Sequence, residues 1–84
     1  MTIRLKLFAS LTGHLAPADR RAGAMDLELA PGTTIAALID QRGLPRQLCT
    51  LVLVNGVFVP PGELERRVLA EGDVLAIWPP VGGG

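Results

Sequence analysis

The stretch Thr33-Thr34-Ile35-Ala36-Ala37-Leu38-Ile39-Asp40-Gln41-Arg42-Gly43 decides the fold, because it sets one helix between runs that otherwise read as strands. Ile35, Leu38 and Ile39 fall at i, i+3 and i+4 and make a single apolar stripe. Either threonine can cap the start, since a hydroxyl oxygen accepts a backbone N–H that the first turn leaves free. Gly43 suits the left-handed position that closes a helix, and Pro45 forbids continuation. The helix should therefore run about ten residues and stop near Arg42.

Working outward toward the start, residues 2–8 alternate, with Ile3, Leu5 and Leu7 on one face and Arg4 and Lys6 on the other. That is the period of a half-buried strand. Residues 9–24 break it with Gly13, Pro17, Gly23 and the charges of Asp19, Arg20 and Arg21, so they read as a loop with room for one helical turn. Residues 25–29 alternate again and end at Pro31-Gly32, which makes a hairpin with a long tip.

Toward the end, residues 51–54 are a continuous Leu/Val run, and Asn55-Gly56 is the strongest two-residue hairpin signal because both turn positions need φ > 0. Residues 57–59 form the return strand. Beyond Pro60-Pro61-Gly62, residues 63–69 can make at most a short helix or coil, with Leu64, Val68 and Leu69 expected to plug the core. Glu71-Gly72-Asp73 turns the chain into residues 74–78, an all-apolar strand that belongs in the sheet interior. Pro79-Pro80 ends it. Hairpin, helix, hairpin, connector, strand is an α+β order. With strand five parallel to strand one, a mixed sheet of about five strands packs on one main helix as a β-grasp. Residues 1–78 form one domain, and residues 79–84 form a flexible glycine tail.

Composition narrows the function. Of 84 residues 49% are hydrophobic, enough for one small core without disulfides or metal. Eight basic side chains against eight acidic ones give zero net charge, so no electrostatic footprint for nucleic acid or anionic lipid exists. The apolar runs are too short to span a bilayer, and the chain reads as soluble and cytoplasmic. Cys49 is the single cysteine, with no metal-ligand spacing around it. One histidine and no tyrosine leave too few polar groups for a self-contained active site. The chain is expected to be no enzyme, and any chemistry must be borrowed from another protein.

The end of the chain, Val81-Gly82-Gly83-Gly84, has two readings. Three glycines suit a frayed terminus. They equally make a backbone narrow enough to enter an enzyme channel, launched by Pro79-Pro80, whose fixed φ and missing N–H groups stop strand pairing and stiffen the exit. Such a tail delivers the α-carboxylate of Gly84. A carboxylate is a poor electrophile until another enzyme makes it a mixed anhydride with AMP; its carbonyl then accepts sulfur, giving a thiocarboxylate, or an amine, giving an amide.

The sequence resembles the ubiquitin-like sulfur carrier proteins, which include the small subunit of molybdopterin synthase and the thiazole-forming carrier of thiamine synthesis. The resemblance covers nearly the whole chain. It is carried by Leu7-Phe8-Ala9-Ser10-Leu11, Gly32-Thr33-Thr34-Ile35, Val54-Asn55-Gly56, Gly72-Asp73-Val74 and Pro79-Pro80-Val81-Gly82-Gly83-Gly84, in that order. It implies that a ubiquitin-activating-like adenylyltransferase adenylates the last glycine with ATP, and that a sulfur donor protein loads it. A synthase, either the molybdopterin synthase large subunit or thiazole synthase, then takes the sulfur. The chain itself binds no cofactor. Gly83 and Gly84 match the family's terminal pair, and Gly84 bears the reacting group. Gly82 departs from the Ala or Ser usual in the molybdopterin subunit, and a Val-Gly-Gly-Gly ending is also familiar among thiazole carriers. Length, Phe8-Ala9-Ser10-Leu11 and Pro79-Pro80 look like the molybdopterin subunit, while the sequence after Asn55-Gly56, with Val59-Pro60, also looks like the thiazole carriers. Another sulfur-transfer pathway stays open beside these two. A protein modifier and a passive ubiquitin-like module are the rival readings.

Elsewhere, Phe8 and Trp78 fall on the outward side of neighbouring strand ends, where an exposed aromatic pair would mark a docking patch. The family implies a hydrophobic sheet surface there; the alternative is that Trp78 only seals the core edge. Cys49, with no cation placed to lower its thiol pKa, reads as a small buried hydrophobe. His14 reads as a solvated loop residue, and Arg20-Arg21 and Arg66-Arg67 as solvated surface. Asn55, Gly56, Gly72 and Asp73 are turn chemistry.

Overall fold

The computed structural model describes residues 1–80. The sheet is built from β1 (Thr2–Leu7), β2 (Ala24–Glu28), β3 (Leu51–Val54), β4 (Val57–Phe58) and β5 (Val74–Trp78), in the order β2-β1-β5-β3-β4. β1 and β2 pair antiparallel from Thr2 opposite Glu28 to Lys6 opposite Ala24, the long-tipped hairpin expected from alternation. β5 lies parallel to β1 and antiparallel to β3, which places the all-apolar strand in the middle of the sheet. The fold is the ubiquitin-like β-grasp.

The helix α1 (Ile35–Gln41) covers the inner face. It begins where the hydroxyl of Thr34 accepts the Ala37 N–H at 3.1 Å, so Thr34, and not Thr33, is the cap. It ends at Arg42, with Gly43 at φ +68. At seven residues it is shorter than the expected ten, because Thr34 and Arg42 stand outside it as caps. Ile35, Leu38 and Ile39 are all at 0% exposure and meet Leu5, Leu7, Val52, Leu75 and Ile77 from the sheet in one core.

Two readings of the connections need correction. Residues 9–24 hold two 3₁₀ turns where one helical turn was allowed, at Ala9–His14 and Pro17–Asp19, which carry Leu11 and Leu15 into the core, and Ala24 already belongs to β2. Val68 does not plug the core. It is 49% exposed, because the segment runs extended beside the start of α1. A single bridge opposite Thr34 turns Val68 outward and leaves Leu69 buried. Leu64 is buried as expected.

Among the described residues no helix is long and apolar enough to cross a membrane.

Candidate functional site

β5 is central, buried and held on both edges, so its C-terminal end is a fixed base for Pro79 and Pro80. Alternation sends Leu75 and Ile77 inward, both at 0% exposure, and sends Trp78 to the opposite face. The same rule puts Leu7 inward and Phe8, one residue beyond β1, outward. The two aromatic rings meet there, stacked with centroids 3.8 Å apart and planes 5° from parallel. Both side chains are half-buried. Trp78 thus stands on the outer face against Phe8, not at a core seam.

The register extends this pair into a band. Leu51 lies opposite Trp78, Leu53 opposite Ala76, and Phe58 opposite Leu53, all on the outer face. Leu51 is 40% and Phe58 50% exposed. The other half of that face, on β1 and β2, is polar: Arg4 pairs with Asp26 at 3.1 Å, and the Thr2 hydroxyl bonds the Glu28 carboxylate. The outer face therefore has one apolar half, around Phe8, Trp78, Leu51, Leu53 and Phe58, and one polar half. The sequence placed Phe8 and Trp78 on the outer face and left Leu51, Leu53 and Phe58 out of the apolar band. The signal was available, because a two-residue Asn55-Gly56 turn pairs residue 54 with 57 and 53 with 58, and the buried Val52 and Val54 fix which face is outside.

At the foot of the tail Pro79 is buried and Pro80 exposed. Val81, Gly82, Gly83 and Gly84, the residues singled out for chemistry, lie outside the described residues.

The remaining candidates are structural. Cys49 is buried, and its thiol donates to the Pro45 carbonyl at 3.3 Å. Burial pushes its pKa up. Arg46 does pull the other way, contrary to the expectation that no cation acts there, but burial dominates. Arg46 is chiefly engaged with Asp40, Nε to Oδ1 at 3.0 Å and Nη2 to Oδ2 at 3.3 Å, and this bond holds the Asp40 carboxyl below its ordinary range. His14 is exposed. Arg20 is not simply solvated, since its guanidinium donates to the carbonyls of Leu15 and Gly13 and ties the 9–24 segment together. Among the described residues no group of three or more His, Cys, Asp or Glu side chains gathers, and no pocket opens.

A family model described as the ThiS family matches residues 11–84. The chain belongs to the ThiS family. It is thereby one of the ubiquitin-like sulfur carriers, small carrier proteins and not catalysts, as the sequence motifs implied. Solved structures share the fold of this ThiS-family chain. SAMP1 from Haloferax volcanii superposes with a TM-score of 0.68 at 24% identity, covering 100% of both chains. A second structure of that protein, small archaeal modifier protein 1, gives a TM-score of 0.62 at 25% identity over 95% of this chain and 98% of its own. The complex of subunits 1 and 2 of the molybdopterin-converting factor from Helicobacter pylori contains a chain that matches with a TM-score of 0.60 at 20% identity, over 100% of both chains. Among curated proteins no sequence matches this one.

Proposed function

We propose that this chain is a protein cosubstrate that carries sulfur as a thiocarboxylate on Gly84. Residues 1–78 act as the globular handle and residues 79–84 as the reactive tail. The observation that carries the reading is the position of the tail's root. The central strand of the sheet ends at Trp78, beside the apolar half of the open face, so an enzyme docked on Phe8 and Trp78 meets the chain end without searching for it.

The chemistry is borrowed in each step. A carboxylate oxygen of Gly84 attacks the α-phosphorus of ATP in a ubiquitin-activating-like adenylyltransferase; the α–β phosphoanhydride bond breaks and pyrophosphate leaves. Hydrosulfide then attacks the acyl carbon, a C–S bond forms, and the C–O bond to AMP breaks. Where a sulfur donor protein supplies a persulfide instead, the first product is an acyl disulfide. A thiol must cleave it, leaving the thiocarboxylate and an ordinary disulfide. ATP belongs to the activating enzyme, and no cofactor is assigned to the carrier.

Molybdopterin formation is the destination we favour, with the large synthase subunit as acceptor. The fold shared with a chain of the Helicobacter pylori molybdopterin-converting factor supports it, as do Phe8-Ala9-Ser10-Leu11 and Pro79-Pro80. Two alternatives each have an observation behind them: the matching family model favours delivery to thiazole synthase, and the likeness to small archaeal modifier protein 1 favours amide conjugation to lysine. A cytoplasmic site of action accords with this chemistry.

Incubating the purified chain with candidate activating enzymes, ATP and sulfide, and then reading intact mass, tests the reading. A gain equal to exchange of oxygen for sulfur, absent without ATP and absent when Gly84 is deleted, is expected. Supplying the loaded chain to each synthase then identifies the acceptor, and lysine-linked adducts of higher mass would identify a modifier. Unchanged mass with every candidate would leave the chain a passive interaction module.

A further inference from the structure

The last carbonyls of β5 are gripped from opposite sides. From the β1 side the Phe8 N–H donates to the Ile77 carbonyl at 3.3 Å. From the β3 side Thr50 donates twice to the Trp78 carbonyl, through its N–H at 3.2 Å and through its Oγ1 at 3.2 Å. Thr50 stands one residue before β3, opposite the point where the chain leaves the sheet, and its side chain is exposed. Nothing in the packing of the core requires a hydroxyl there.

We infer that Thr50 is a positioning residue for Gly84: by pinning the Trp78 carbonyl it sets the direction in which the tail departs. The inference rests on the carrier function proposed above. The peptide linking Trp78 to Pro79 is a rigid plane, so fixing its oxygen fixes where the Pro79 nitrogen points. Pro79 then has its own φ locked by its ring, and Trp78, preceding a proline, is restricted to extended backbone. Neither Pro79 nor Pro80 has an N–H to give the sheet. The carbonyl held by Thr50 therefore governs an exit through Pro79 and Pro80 whose torsions are already limited.

A group that aims the tail affects how often a docked carrier presents its carboxylate correctly, not how tightly the handle docks. ATP–pyrophosphate exchange by the activating enzyme, followed against carrier concentration, separates the two. Thr50→Val, which keeps the shape and the N–H but removes the hydroxyl, should lower kcat by about threefold to tenfold with KM unchanged, since catalysis is sensitive to sub-ångström placement of the reacting group. Thr50→Ser should restore kcat to within about twofold of wild type, because the donor returns. Urea unfolding of both variants confirms that they fold. Wild-type kcat in a folded Thr50→Val protein overturns the role, as does a rise in KM at constant kcat or a failure of Thr50→Ser to rescue. If the wild-type chain itself supports no exchange with any activating enzyme, the carrier function has failed and the role of Thr50 falls with it.

Discussion

The Asn55 side-chain amide donates to a carboxylate oxygen of Asp73 at 2.9 Å, tying the β3–β4 turn to the turn that launches β5. The same carboxylate accepts the Ala70 N–H at 2.8 Å, and the Asn55 side-chain oxygen accepts the Val74 N–H at 2.9 Å. Asn55 also sits at φ +51, a left-handed conformation that a short amide side chain tolerates. Asn55→Ala therefore loses its side-chain bonds and gains backbone strain, at a cost of about 2 to 3 kcal/mol. Asn55→Gly loses only the bonds and should be milder by about 1 kcal/mol. Urea midpoints measure both, and equal costs would refute the strain contribution.

Among the described residues Ala9 is the other non-glycine residue with positive φ, at +51, and it directly follows Phe8. Its conformation turns the chain off the end of β1 directly after the Phe8 ring that stacks on Trp78. An alanine stores strain here, and β-branching would store more. Ala9→Gly should be neutral to stabilising by about 1 kcal/mol after the added chain entropy is counted, whereas Ala9→Val should cost about 1 to 2 kcal/mol. A more stable valine variant would contradict the assigned geometry.

Phe8 and Trp78 are proposed as the docking pair, and their behaviour should differ from that of Thr50. Trp78 is the chain's one tryptophan, so its emission reports directly on loss of the stacked ring in Phe8→Ala. That variant should lose about 0.5 to 1.5 kcal/mol of stability from the stack. In exchange assays its KM should rise about tenfold with little change in kcat, as expected for a surface anchor. Trp78→Ala should act in the same sense. Unaltered activation of a folded Trp78→Ala protein would remove the docking assignment.

Much of this was legible before any coordinates because the decisive positions are ones where backbone geometry restricts residue type. A threonine cap at 33 or 34, Gly43 as helix stop and Asn55-Gly56 as hairpin turn each have few chemical substitutes, although the choice of Thr34 over Thr33 came only with the structure. What escaped reading depended on tertiary context. Val68 is apolar yet faces out because of a bridge to Thr34, a pairing no local pattern announces. Ala9 gives no sign of its positive φ. Leu11 and Leu15 did carry a signal, an i, i+4 spacing hidden among Gly13, Pro17 and several charges. The role inferred for Thr50 is invisible in sequence, since the partner carbonyl is 28 residues away across the sheet.

Cys49 supplies the last prediction, because a carrier of sulfur with a cysteine of its own invites the idea that the thiol relays the sulfur. The environment argues otherwise. The side chain is buried, and burial raises its pKa despite Arg46, so little thiolate is available to attack a persulfide. Native protein should react slowly with iodoacetamide at neutral pH and quickly in urea. Cys49→Ala should load sulfur at the wild-type rate while losing about 1 to 2 kcal/mol of stability from the small cavity. The pH dependence has a definite sign. The folded state holds the thiol proton more tightly than the unfolded chain, so stability is fully present below the ordinary thiol pKa and falls as pH rises above about 8.5 toward the raised value. With no tyrosine in the sequence, few other groups titrate in that window, and Cys49→Ala should flatten the decline in urea midpoint between about pH 8.5 and 10. An equally steep decline in Cys49→Ala would assign it to another group, and loss of sulfur loading in that variant would restore the relay.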